Sequence, residues 1–148
     1  MELNSPNDKF KIKETEKGRV IFDCLRMKYV PLTPEEGVRQ WFVRYLIDEL
    51  KYPQALMNNE IGIVQNGIKR RCDTVVFDRT GSPLMIVEYK APEVKITQKV
   101  FDQIYRYNTV LRAGYLVVSN GGACYCAKID YEKGTYAFLK SVPPYEAL

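Results

Sequence analysis

The chain has 148 residues, 46% of them hydrophobic, and a formal charge of +4 from 22 basic and 18 acidic side chains. That length builds one core and leaves no room for a second ordinary domain or an attached motor, and the mild charge permits a polyanionic partner without demanding one. No histidine occurs, which removes Ser-His-Asp and Cys-His nucleophilic catalysis, histidine-ligated zinc and histidine general bases, so hydrolysis here must run on carboxylates, lysine and a hard metal. There is no apolar run of membrane-spanning length and no signal-like stretch over residues 1–13, so the expected setting is cytoplasmic, without a membrane partner. Cys24, Cys72, Cys124 and Cys126 lack a second pair at zinc-finger spacing and read as reduced, partly buried thiols.

Residues 1–30 read as an N-terminal arm with at most one strand, and 31–148 as the core of a single domain. Thr33-Pro34-Glu35-Glu36 is a helix start: a capping threonine, a proline at the first helical position and a glutamate placed to complete a capping box. Val38, Trp41, Phe42, Tyr45, Leu46 and Leu50 recur at three and four, one buried stripe, until Pro53 ends the helix. A strand is expected over 55–63, and Asn66-Gly67 is the strongest hairpin signal in the chain. Further strands are expected over 70–78 and 84–90, separated by the turn residues 79–82. Thr97 caps a second helix whose apolar positions run from Val100 to Leu111 and stop at Gly114. Strands over 115–119, 123–129 and 135–139 complete an α/β or α+β sandwich with a mixed sheet flanked by helices.

Chemistry concentrates on the 70–90 hairpin. If its strands pair symmetrically about Thr80-Gly81, Asp73 faces Glu88, with Cβ atoms about 4.5 to 5.5 Å apart, where two like charges need compensation. A divalent cation is the natural compensator. Lys90, two residues beyond Glu88, falls on the same face. Two acids and a lysine suit Mg²⁺, which takes oxygen ligands and commonly uses one or two carboxylates plus substrate phosphates. A metal-activated water could then attack phosphorus in line. Glu-x-Lys alone is common in strands and is mostly a solvated ion pair, but the flanking runs Val75-Val76-Phe77 and Leu84-Met85-Ile86-Val87 are continuously apolar, and acids at the ends of buried strands need a reason. Glu35 and Glu36 also suit the first turn of a helix by its dipole. Among basic residues Arg39 and Arg106 rank highest as phosphate contacts.

Glu36, Asp73, Glu88-Tyr89-Lys90 and Gln103-Ile104-Tyr105-Arg106-Tyr107, with the strings Arg26-Met27-Lys28-Tyr29-Val30, Arg71-Cys72-Asp73, Ala91-Pro92 and Ser119-Asn120-Gly121, resemble the PD-(D/E)xK nuclease superfamily. More narrowly, they resemble the N-terminal nuclease domain of the restriction subunit of type I restriction enzymes. The resemblance implies a restriction-endonuclease-like αβββαβ core. It implies Asp73 and Glu88 as ligands of Mg²⁺ (or Mn²⁺), Glu36 as an additional metal-side carboxylate, and Lys90 positioning or activating the attacking water. Gln103 and Tyr107 fall on the family's Q-x-x-x-Y pair, which supports DNA engagement, so that Arg39, Gln103, Arg106 and Tyr107 are the expected nucleic-acid contacts. Cys72 stands where the motif has proline, a change that touches backbone rather than chemistry. The implied function is Mg²⁺-dependent endonuclease action on duplex DNA, with other restriction-system or helicase subunits and a homodimer as expected partners. Since these residues hold no helicase motor, a free-standing nuclease, a component recruited by another chain and a relic fold all remain open. So does a non-catalytic nuclease-fold module that binds nucleic acid or a protein, or a purely structural ion-pair cluster.

Overall fold

The structure, a computed structural model, describes residues 10–148; the first nine residues of the expected arm lie outside it. From Ile12 the arm forms an antiparallel meander, β1 (Ile12–Thr15), β2 (Gly18–Asp23) and β3 (Lys28–Pro31), with Ile21 opposite both Ile12 and Val30. This corrects the expectation of at most one strand. Strands of four to six residues carry too few positions for alternation to stand out, and the pairing here depends on burial of Ile21, Asp23 and Val30.

Helix α1 (Pro34–Asp48) starts where its cap predicts: the Thr33 hydroxyl accepts the Glu36 N–H at 3.1 Å. The reciprocal half of the capping box does not form. The Thr33 N–H donates to the Pro31 carbonyl, and the Glu36 carboxylate accepts from Arg26 and Gln40. Val38, Phe42 and Leu46 are buried as their spacing predicts, but Trp41, read as part of the same stripe, is 37% exposed and stacks on Tyr45.

A 3₁₀ turn at Gln54–Leu56 precedes β4 (Met57–Gln65), so the strand expected from residue 55 begins two residues later and continues to the turn. Asn66 and Gly67 both have positive φ, 51° and 77°, the backbone a two-residue hairpin needs, and β5 (Ile68–Phe77) returns from it. Asp78 Oδ1 accepts the N–H groups of Thr80 and Ser82 and closes the next turn into β6 (Pro83–Tyr89). Helix α2 (Gln98–Asn108), capped by Thr97, crosses to β7 (Tyr115–Ser119), which runs parallel to β6. β8 (Cys124–Asp130) and β9 (Thr135–Leu139) complete a six-stranded sheet in the order β4-β5-β6-β7-β8-β9, parallel only between β6 and β7. α2 stops short of the expected Leu111. Asn108 turns its amide back to the Ile104 carbonyl at 2.9 Å, and Arg112 adopts a left-handed φ of 52° soon after.

Alternate residues of the central strands feed two cores. Val87, Tyr89 and Val117 pack with Val38, Phe42 and Leu46 of α1; Ile86, Leu116 and Val118 pack with Phe101 and Ile104 of α2. The fold is thus a mixed α+β sandwich, and from α1 to β7 its order is the expected αβββαβ. Among the described residues no helix is long and apolar enough to cross a membrane. All four cysteines are free.

The two-sided core sets a stability contrast. Leu46→Ala, at a fully buried position, should cost about 2–5 kcal/mol, whereas Val64→Ala, on an exposed strand position, should stay within about 0.5 kcal/mol, both read from urea denaturation midpoints.

Candidate functional site

β5 and β6 pair so that Thr74 faces Val87 and Val75 faces Ile86; the next step outward sets Asp73 level with Glu88. Their carboxyl groups are in contact. Burial first, then the charge and hydrogen bond of Asp73, raise the Glu88 carboxyl well above its ordinary 4.5. Asp73 is held from two sides: its Oδ2 accepts the Tyr89 N–H at 2.9 Å, and its Oδ1 lies 3.6 Å from Arg39 Nη2. The Lys90 N–H donates to the Ser119 carbonyl at 2.9 Å, and its ammonium is near enough to favour the ionised forms of Glu88 and Glu35.

Two further acids join the cluster. Glu35 is raised by burial and then by the charge of Asp73, with Lys90 and Arg39 acting against the shift. Glu60 lies in β4 between Asn59, which pairs with Thr74, and Ile61, which pairs with Cys72, and so at the level of Asp73. Its φ of 61° is a left-handed conformation uncommon for a non-glycine residue in mid-strand. The ladder turns over there. Residues two apart in a regular strand share a face, yet Cys72 packs in the α2-side core while the Thr74 hydroxyl meets Tyr89 Oη, whose ring is in the α1-side core.

Arg39 binds this acidic group together. Its Nη2 lies 2.5 Å from Glu60 Oε1 and 3.6 Å from Asp73, its Nε lies 3.5 Å from Glu36, and the residue is only 4% exposed. Burial alone would lower its pKa, but Glu36, Asp73 and Glu60 together raise it. A surface role gripping phosphate, expected for Arg39, does not fit that placement. Glu36 likewise has other partners than those expected: Arg26 at 2.6 Å, Gln40 at 3.2 Å and Arg39, which also lies beside Asp73. The first-turn acid coupled to Asp73 and Lys90 is Glu35.

Beyond Glu36 the contacts close into a ring. Arg26 bridges Glu36 and Asp23; Asp23 accepts from Asn59 at 2.9 Å; Asn59 accepts the Thr74 hydroxyl at 2.6 Å; Thr74 meets Tyr89 Oη at 2.8 Å; and the Tyr89 N–H returns to Asp73. Asp23 is 0% exposed. Burial acts to raise its carboxyl, but hydrogen bonds from Asn59, Arg26 and the Leu25 and Arg26 N–H groups hold it below the ordinary value. The meander is thereby tied to the acid pair, a link the sequence does not advertise because its members lie on five separate elements and a turn. Glu60 was within reach: symmetric pairing about Asn66-Gly67 sets it opposite Asp73.

The remaining site residues lie on α2. Gln103 Nε2 donates to Tyr107 Oη at 2.9 Å, the Arg70 guanidinium sits 4.0 Å from the Tyr107 ring, and Arg106 is exposed with its carbonyl accepting Gln65 Nε2. The last turn of α2 meets the acid strand where Cys72 Sγ donates to Asn108 Oδ1 at 3.4 Å. Burial pushes the Cys72 thiol up to about 12, which makes it a packing group rather than a nucleophile.

The donor set fits a hard divalent cation. Among the described residues no three His, Cys, Asp or Glu side chains gather closely enough to cage a metal by themselves. One pair of facing carboxylates, with Glu88 disposed to keep a proton while no cation is present, is the inventory that Mg²⁺ uses when substrate and water supply the other ligands.

The sheet, its two flanking helices and this acid–lysine strand end define an α+β domain with an ionic, oxygen-lined site at the mouth of its central hairpin. Over residues 34–143 the chain matches the family described as type I restriction enzyme R protein N terminus, and it belongs to that family. No curated protein sequence matches it. Among solved structures it is similar to a fragment assigned to the HsdR subunit of a type I restriction enzyme from Vibrio vulnificus YJ016, with 19% identity and a TM-score of 0.54 over 76% of this chain and 24% of that one. At that identity the likeness is one of fold, and the chain spans about a quarter of the length of that relative.

Two outcomes follow from the charge balance. Arg39→Met leaves Glu36, Glu60 and Asp73 without their shared cation and should cost about 3–5 kcal/mol at neutral pH, measured by denaturant unfolding. A carboxyl with a raised folded-state pKa favours folding below its ordinary value and loses that contribution as pH rises through the raised one. In chelator, then, the wild type should lose stability relative to Glu88→Gln as pH rises above 4.5, and a pH series of melting temperatures that stays parallel for the two proteins contradicts the pairing.

Proposed function

We propose that this domain hydrolyses DNA phosphodiester bonds in the manner of the PD-(D/E)xK nucleases, as the nuclease-like part of a restriction system. The observation that carries the reading is the contact between Asp73 and Glu88 at the end of a buried hairpin, with Lys90 beside it. Asp73 and Glu88 would hold Mg²⁺ or Mn²⁺. When bound, such an ion supplies Lewis acidity, offsetting charge that builds on the phosphate and easing removal of a proton from water.

The chain's own residues do the rest. The Tyr89 N–H and Arg39 fix the Asp73 carboxylate, so it reorganises little when a phosphate arrives. Lys90 places a positive charge next to the acids, where it attracts the phosphodiester and balances its developing charge. Glu35, whose affinity for a proton is increased by burial and by Asp73, is suited to accept one from the attacking water. The Gln103–Tyr107 pair and Arg106 on α2 offer an uncharged and a charged contact to the DNA strand. DNA is the expected substrate, other restriction-system or helicase subunits are expected to bring it, and a second copy of the domain would allow both strands to be cut.

A second reading, a non-catalytic module that binds DNA or a partner chain, is favoured by Arg39, which already sets a positive charge against Asp73 and Glu60 without a metal ion. The two separate cleanly. As a nuclease, the protein with Mg²⁺ or Mn²⁺ should cut DNA, and Asp73→Ala, Glu88→Ala and Lys90→Ala should each slow cutting by roughly a hundredfold or more. Cutting that survives Asp73→Ala and Glu88→Ala removes this mechanism. Salt-dependent duplex binding without cutting, indifferent to chelator and to Asp73→Ala, identifies the module.

A further inference from the structure

A cavity of about 370 Å³ opens beside the acid hairpin, walled by Trp41, Phe42 and Tyr45 of α1, Ser119 at the end of β7, Gly122 in the following turn and Lys140 after β9. None of the ionic-site residues lines it, but two of its walls, Ser119 and Phe42, adjoin that site through Tyr89 and Lys90. Ser119 pairs with Tyr89 across the parallel β6–β7 ladder, its carbonyl takes the Lys90 N–H, and the Phe42 ring meets the Tyr89 ring edge-on at 6.0 Å. One residue on either side of Tyr89 therefore stand Glu88 and Lys90.

Trp41 is the feature the fold leaves unexplained. The core does not use it fully, since it is 37% exposed on a helix whose Val38 and Phe42 are buried, yet its ring is held flat on Tyr45, 5.7 Å between centroids and 1° from parallel. A fixed, partly exposed indole lining a cavity is a stacking platform. The cavity also carries hydroxyls from Ser119 and Ser141 and the ammonium of Lys140. Ser119 already accepts the Gly121 N–H at 3.1 Å, and Lys140 and Ser141 are exposed; a flat heterocycle with hydrogen-bonding edges on an anionic backbone matches an aromatic wall edged by an ammonium and a hydroxyl.

We propose that this cavity receives a single unpaired nucleobase, stacked on Trp41, from the strand whose phosphate lies at Asp73, Glu88 and Lys90. The proposal rests on the nucleic-acid reading above and adds to it a preference for unpaired or frayed strands, because a base enters a cavity only after leaving its pair and its stack. Base–aromatic stacking is tolerant of sequence, so the site would select strandedness rather than a base order.

Trp41 is the chain's only tryptophan, and its emission reports this cavity directly. The full chain, with Ca²⁺ in place of Mg²⁺ so that the acid pair has a cation while cutting is suppressed, is titrated with fluorescently labelled oligothymidylate, with an abasic deoxyribose-phosphate oligomer and with a duplex of equal length, while label anisotropy and Trp41 emission are read on the same samples. Oligothymidylate should quench Trp41 along the same binding curve as the anisotropy, and the abasic strand and duplex should quench much less. Trp41→Ala should weaken oligothymidylate binding roughly tenfold, and Trp41→Phe, which keeps a stacking ring, should stay within about threefold of wild type. If Trp41→Ala does not fold, the wild-type quenching and Trp41→Phe decide. Anisotropy that rises with no change in Trp41 emission, or equal quenching by the abasic strand, overturns the base cavity while leaving nucleic-acid binding in place. No anisotropy change with any of the three overturns both.

Discussion

Two carboxyl groups held in contact at the end of strands that are apolar on both faces set the terms for everything around them. Asp73 and Glu88 are neighbours by register, not by chance approach of flexible side chains, because the pairing of Thr74 with Val87 and Val75 with Ile86 leaves them no other place. Like charges so placed are unfavourable; burial and Asp73 raise the Glu88 carboxyl well above its ordinary value, and the buried Arg39 guanidinium stands 3.6 Å from Asp73. On the proposed reading, a divalent cation bound there would take over in part what Arg39 does. Whether Arg39 merely relieves the acids or also prepares them for metal is the physical question that separates a nuclease from a binding module.

The architecture around that pair is economical in a mechanical sense. α1 brings Glu35, Glu36 and Arg39 to the hairpin in its first two turns while its later turns fill one core; α2 closes the other core and ends against Cys72. The meander, far from trailing off as an arm, inserts Asp23 and Arg26 into the polar ring that returns through Asn59, Thr74 and Tyr89 to Asp73. A ring of this kind is either satisfied throughout or costly throughout, so it locks the side chains near the acids into one arrangement. Glu60, strained at φ 61°, marks the level where the β4–β5 ladder turns over.

Much of this was legible from residues alone, and for identifiable reasons. Asn66-Gly67 and residues 79–82 have turn chemistry that fixes register, and register fixes which acids face each other. Caps at Thr33 and Thr97 placed both helices correctly at their starts. What escaped was whatever depends on long-range contact: the short meander strands, the ring joining Asp23 to Thr74, the partners of Glu36, and the burial of Arg39. A surface arginine and a buried one look alike in a sequence. Trp41 was misread for a related cause, since spacing cannot tell the centre of an apolar stripe from its margin.

The central claim is that Asp73 and Glu88 together are a divalent-cation site. Its most direct test is anomalous diffraction from crystals of the full chain soaked in Mn²⁺. One peak within coordination distance of carboxylate oxygens from both Asp73 and Glu88 is the predicted result, whereas a map with no peak there, or with manganese only at Glu36 or Glu60, contradicts it.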